Sequence, residues 1–243
     1  MKKIFIILTF VVLCTTTKAQ YTSPYKLSLA KDITIPTISI GMIGTAFLLE
    51  RKRPALSINT INSLNRNDIS MFDRNATYNW DPTAAKWSDG IMYSSMALPL
   101  FFLIDKRTRQ DYDKVAMVYG EIFLVNTAIT FLTKELVQRK RPYIYNPNAP
   151  LSKKMEKDAT HSFFSGHVST VSSMSFGFAQ IYSDYYPNSP AKPGIWFAAA
   201  TLPLFTAILR NKAGKHYWSD VIIGYIVGAT VGIVIPRLHK ARF

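Results

Sequence analysis

Residues 115–133, VAMVYGEIFLVNTAITFLT, run directly into residues 134–142, KELVQRKRP. The first part has close to the ~20 predominantly apolar residues that cross a bilayer as a helix. The second is a cluster of cations of the kind that marks the membrane edge. Working outward, the same alternation recurs. Apolar runs occupy residues 33–49, 91–104, 168–182, 195–209 and 221–235, and most end in basic residues. The apolar residues come in blocks rather than in a period of two, which argues for helices and against strands. The expected fold is therefore all-α: an integral-membrane helical bundle of five to six apolar helices with short connections. The run at 33–49 is the weakest, because it contains Pro36, two glycines and several hydroxyl residues. It is expected to lie along or dip into the outer leaflet rather than cross. Residues 55–86 are polar and aromatic and read as extramembrane, with a short helix over 58–72.

The 243 residues leave room for one domain. The formal charge is +14. Because the cations sit in loops between apolar runs, the expected partners are an anionic lipid surface and an anionic substrate, not nucleic acid. Cys14 is the only cysteine, so neither an internal disulfide nor a cysteine zinc site is expected. The four histidines, His161, His167, His216 and His239, form no HExxH pair, and neither a metal site nor a cofactor is expected. Residues 1–19 have the basic start, apolar run and small residues of a secretory signal cleaved after Ala19. The expected organisation is a signal at 1–19, an amino-terminal segment with one weak apolar helix at 20–89, a helical core at 90–236 and a basic tail at 237–243.

Three polar blocks interrupt the core. The first holds Lys134 and Arg141, seven residues apart, which share a face if the helix continues to Pro142. The second is Phe164-Ser165-Gly166-His167. Serine is a good helix cap, glycine admits close backbone approach, and free N–H groups at a helix start bind phosphate. The third runs from Arg210 across Ala213-Gly214 to His216 and Asp220. A histidine and a carboxylate four residues apart share a helical face, and the carboxylate can fix the imidazole tautomer. Together these residues suit a tetrahedral oxyanion that must be held, attacked and released.

Their spacing resembles the signature of the type 2 phosphatidic acid phosphatase family: Lys, six residues, Arg-Pro; Ser-Gly-His; Arg, five residues, His, three residues, Asp. The resemblance covers roughly residues 90–236. It departs at Phe164, where the family usually has Pro, and at Leu209, where it usually has Ser. The resemblance implies that His216 is the nucleophile, Asp220 orients it, and His167 is the general acid and then base. It also implies that Lys134, Arg141, Arg210, Ser165 and the Gly166 N–H bind the phosphoryl group without metal. The implied activity is hydrolysis of a phosphomonoester or pyrophosphate on a lipid through a phosphohistidine. The alternatives are an acid phosphatase for soluble phosphomonoesters and, more remotely, a vanadate-dependent haloperoxidase. The expected location is a bacterial cell envelope, with the site facing the periplasm.

Overall fold

A computed structural model describes residues 22–241. The expected signal at 1–19 lies outside the described residues. The described chain forms α1 (Leu29–Lys52), the short α2 (Ile58–Asn62) and α3 (Met71–Arg74), and α4 (Pro82–Met96), which continues through a 3₁₀ segment at Leu98–Leu103. Then come the short α5 (Lys106–Gln110), α6 (Tyr112–Val137), the short α7 (Leu151–Lys154), α8 (Gly166–Tyr185), α9 (Lys192–Lys212) and α10 (Trp218–Leu238). The long helices run alternately up and down, so their ends gather on two faces.

Among the described residues, four helical segments are long and apolar enough to cross a membrane: Leu29–Lys52, Tyr112–Tyr145, Lys192–Lys212 and Trp218–Leu238. Their outward faces carry Ile33, Ile38 and Phe47 on α1, Phe197, Leu204 and Phe205 on α9, and Ile222 and Ile226 on α10, all exposed. An apolar belt this extensive is stable only against lipid. The chain is an integral-membrane all-α bundle. Its core joins Phe102, Tyr119, Ile122, Met174, Ile181, Val231 and Ile235 from the 3₁₀ segment, α6, α8 and α10.

At the centre stands α8, with most of its side chains buried. Its serines explain why. A Cβ on Gly228 would lie 2.2 Å from the Ser169 carbonyl oxygen, and one on Gly232 would lie 2.4 Å from that of Ser173. Thus α10 lies against α8 at backbone distance, as small residues allow in lipid. Ser172 Oγ adds a hydrogen bond to the Tyr225 carbonyl at 2.9 Å. This close seam fixes the start of α10 beside the start of α8, where two of the three polar blocks lie.

Two expectations about the amino-terminal segment are corrected. First, α1 does not lie along one leaflet. His239, just after α10, meets Asp32 in its first turn at 3.0 Å, whereas Arg53 at its far end meets Glu135 near the end of α6 at 3.1 Å. It therefore traverses the full height of the bundle, with Phe47 edge-on to Phe131. Second, the helix expected over 58–72 is broken. Asn65 accepts the Asn67 N–H at 2.9 Å, and such local side-chain bonds compete with a continuing helix.

Candidate active site

The first block does not share one helical face. α6 ends at Val137, and Gln138 adopts a left-handed conformation (φ 48°) with its N–H on the Lys134 carbonyl. The chain then extends through Arg141, as the residue before a proline prefers. Lys134 reaches the site from the last turn of α6 and donates to the His161 carbonyl at 3.0 Å. Arg141 arrives on the loop and is buried. Its guanidinium donates to the Asp158 carbonyl at 2.9 Å, the Asp158 carboxylate at 2.7 Å and the Lys215 carbonyl at 3.0 Å.

The second block caps α8 as expected. Ser165 Oγ accepts the Val168 N–H at 3.5 Å; such a cap contributes ~1 kcal/mol. The Ser165 N–H donates to the Asp220 carbonyl at 3.0 Å, tying this helix start to that of α10. At Gly166 a Cβ would come within 3.0 Å of Thr130 Cγ2 and 3.7 Å of Lys134 Cε. Any side chain there would press on Thr130, beside the lysine. His167 Nε2 lies 2.7 Å from Asp89 Oδ1 on α4. Arg210, buried in the last turn of α9, donates to the same oxygen at 3.1 Å and to Ser88 Oγ at 3.2 Å.

His216 is fully buried in the α9–α10 connection. Gly214 turns that connection with φ +67°, and a Cβ there would lie 2.2 Å from the Asn79 carbonyl oxygen. Nδ1 of His216 is 2.7 Å from the Ser162 carbonyl oxygen. A carbonyl can only accept, so Nδ1 bears the hydrogen and Nε2 keeps its lone pair. Nε2 faces an Arg141 N–H at 3.1 Å.

Asp220 makes no hydrogen bond to His216. Their nearest atoms are 3.8 Å apart, too far for a hydrogen bond. α10 starts only at Trp218, so the two residues do not share a helical face. Asp220 instead accepts the Tyr217 N–H at 2.9 Å, Ser162 Oγ at 2.5 Å and an Arg139 N–H at 2.5 Å. It fixes Ser162, whose carbonyl holds the imidazole. Arg139 extends this scaffold to Asp73 at 2.8 Å and lies over the Tyr217 ring at 4.1 Å.

The fold thus brings all eight expected residues to one face. It adds Asp89 and Ser88 from α4, Asp158 and Ser162 from the loop before α8, and the Arg139–Asp73 pair. Arg139 sits inside the first block and Ser162 just before the second, so both were within reach of a closer reading of the sequence. Nothing local marks Asp89.

The cations set the protonation states. Burial first, then Arg141, Arg210 and Lys134, hold the His216 imidazole well below its usual pKa, so it is neutral at physiological pH. Burial would raise the Asp158 carboxyl, but Arg141 and Lys134 outweigh it and keep it well below the usual carboxylate range. Lys215 is pushed down to about 8 by burial and by Arg141. It is therefore charged below that pH and neutral above it. If its charge helps attract an anionic substrate, KM rises as pH passes through about 8. Lys215→Met is expected to show a raised KM at pH ~7 and no further rise through the same window, a contrast of several-fold read from pH–KM profiles.

The sequence profile of the PAP2 superfamily matches residues 115–243, just over half of the chain. Phospholipid phosphatase 1 of Rattus norvegicus is 30% identical over 97 residues, covering 38% of this chain. The match spans only 34% of that relative's own length. A crystal structure described as the first transmembrane PAP2 type phosphatidylglycerolphosphate phosphatase from Bacillus subtilis aligns over 82% of this chain and 94% of its own, with 18% identity and a TM-score of 0.49. Lys134, Arg141, Ser165, Gly166, His167, Arg210, His216 and Asp220 all fall inside the profile match, and the chain belongs to the PAP2 superfamily.

Proposed function

We propose that the chain is a membrane lipid phosphatase that hydrolyses a phosphomonoester or pyrophosphate on a lipid through a phosphohistidine on His216. The observation that carries this is the state of His216: buried, Nδ1–H held by the Ser162 carbonyl, the Nε2 lone pair facing Arg141, and the imidazole kept neutral by burial and by the charges of Arg141, Arg210 and Lys134. That is an activated nucleophile beside a ready anion site. Nε2 attacks phosphorus, and the bond from phosphorus to the leaving oxygen breaks. His167 supplies that oxygen with a proton. His167 then takes a proton from water as the water attacks phosphorus, the P–N bond breaks, and phosphate leaves. Lys134, Arg141 and Arg210 hold the phosphoryl oxygens throughout, the role that metal ions fill in other phosphoryl transfers.

In this reading, two half-exposed carboxylates hold the cation contacts that the phosphoryl oxygens would take. Asp89 Oδ1 bridges Arg210 and His167, and Asp158 Oδ1 sits on Arg141. A phosphoryl group entering the site displaces these contacts. A cavity of about 220 Å³ adjoins Lys134 and supports a lipid substrate: Ala46, Phe47 and Phe131 wall one side, with Asp158 and His161 on the polar side. The test is phosphate release by detergent-purified protein from phosphatidate, phosphatidylglycerol phosphate, a polyprenyl diphosphate and a soluble phosphomonoester, all in EDTA. At least one lipid is expected to exceed the soluble ester by tenfold or more in kcat/KM, and vanadate is expected to inhibit as a mimic of the pentacoordinate transition state. Loss of turnover in EDTA that Mg²⁺ restores would sink the metal-independent mechanism.

The site faces away from the cytoplasm in this proposal. With α1 crossing, Lys26, the Lys106–Gln110 helix and Lys240 share the face opposite the site, in line with the positive-inside tendency. An outward site and release of residue 20 on the outside then become alternatives, and the basic loops favour the outward site. Single cysteines at Ser57, Asn148, Lys26 and Lys240, all exposed, in a Cys14→Ser background report the orientation. An impermeant thiol reagent on intact cells is expected to label positions 57 and 148 and spare 26 and 240. The reverse pattern places the site in the cytoplasm.

A further inference from the structure

At the end of the bundle opposite the site, three distant residues converge. Asp32 comes from the first turn of α1, Glu121 from α6, and His239 from just past α10. Their ligand atoms all lie within 4.8 Å of one another. His239 Nε2 is 3.0 Å from Asp32 Oδ1 and 3.3 Å from Glu121 Oε2. No local spacing in the sequence announced this group, which joins three elements far apart in the chain.

Two of the three members already have an outer partner. His239 Nδ1 lies 3.1 Å from the Ile235 carbonyl, which places the hydrogen there and leaves the Nε2 lone pair facing the cluster. Asp32 Oδ2 accepts the Ser28 N–H at 2.8 Å, which leaves Oδ1 free to turn inward. Glu121 supplies the independent sign of a missing ligand. Its side chain is 1% exposed, and neither carboxylate oxygen accepts a hydrogen bond. A buried carboxylate left so is costly unless a cation faces it. Protonated His239 could balance only one of the two carboxylates. Lys31, at the exposed rim, is engaged with the Leu238 carbonyl.

We propose that Asp32, Glu121 and His239 bind a divalent transition-metal cation of the zinc class, which clips α1 to α6 and to the end of α10. A tetrahedral ion with bonds of ~2.0–2.2 Å sets its ligand atoms about 3.3–3.6 Å apart, close to the two separations above. One imidazole and two carboxylates suit such an ion better than Ca²⁺ or Mg²⁺, which favour more oxygen ligands or near-complete hydration. The site is remote from His216, so the ion is structural and independent of the phosphatase mechanism.

The probe is Zn²⁺, with Co²⁺ as its spectroscopic stand-in, added to chelator-stripped full-length protein in detergent. Native protein is expected to retain about one equivalent of zinc through gel filtration, to show d–d absorption with Co²⁺, and to unfold at a higher temperature with zinc than without. Glu121→Gln, nearly isosteric, and His239→Ala are each expected to weaken zinc binding by about 10–100-fold or more and to lose the zinc-dependent thermal shift. Their elution and phosphate release report that the fold survives. Native protein that neither retains zinc nor gains thermal stability from it overturns the proposal, whatever the variants do. Equal zinc retention by native protein and both variants overturns it as well.

Discussion

His216→Ala is expected to lower phosphate release by on the order of 10⁵-fold, the scale on which enzymes lose activity when a covalent nucleophile is removed. It should also form no acid-labile phosphoenzyme from a ³²P-labelled lipid. The reason is geometric. Nε2 belongs to a fully buried imidazole and faces Arg141, and the Ser162 carbonyl fixes its tautomer. Alanine removes that atom and leaves the cations, so substrate binding should persist while chemistry stops. kcat is therefore expected to collapse with little change in the dissociation constant of an unreactive phosphonate analogue. A variant that still formed a phosphoenzyme would place the covalent bond on another residue. Asp220→Asn is expected to act more mildly, because Asp220 touches Ser162, the Tyr217 N–H and Arg139 and does not hydrogen-bond His216.

The spans were legible because lipid leaves few choices. A segment that crosses must be apolar for ~20 residues and must satisfy its own backbone. α6, α9 and α10 meet that demand plainly. α8 does not meet it by composition; its serines face a glycine-lined helix, and its small residues announced the close packing. α1 was misjudged because Pro36 and its hydroxyl residues look polar in sequence. In the fold those hydroxyls bond back into their own helix, Ser39 Oγ to the Ile35 carbonyl and Thr45 Oγ1 to the Gly41 carbonyl, both at 2.9 Å. Polar groups satisfied internally do not bar a crossing. The three blocks stood out because each falls at the end of an apolar run, where cations and histidines are not needed for packing. What remained hidden was whatever depends on the path between elements. Arg141 reaches the site only because Gln138 breaks α6, and Asp220 bonds Ser162 rather than His216 because α10 starts after His216. Asp89 sits on a helix with no motif of its own, and only the packing of α4 against α8 and α9 brings it to His167.

His167→Ala is expected to lower lipid phosphate hydrolysis by about 10²–10⁴-fold, the usual contribution of a general acid. The loss should depend on the leaving group. An alkoxide from a lipid alcohol needs a proton as the bond to phosphorus breaks, whereas an activated aryl phosphate expels a stable phenolate. The first step should therefore fall much further for the lipid than for the aryl ester. With the aryl ester, phosphoenzyme formation should survive and its hydrolysis should become slow, because in the proposed mechanism the same imidazole activates water in the second step. A burst of phenolate followed by a slow steady state is the expected trace. Asp89 Oδ1 holds His167 Nε2 at 2.7 Å while also accepting from Arg210, so in the proposed mechanism it fixes the ring and is the group a phosphoryl oxygen displaces. Asp89→Asn keeps the shape and removes the charge that binds Arg210. Substrate should then meet less competition for Arg210 and show a lower KM, while kcat falls as the imidazole loses the carboxylate that supports its protonated form. Equal losses for lipid and aryl substrates in His167→Ala, without a burst, would remove the acid–base role from His167 and return it to the helix start as a capping neighbour.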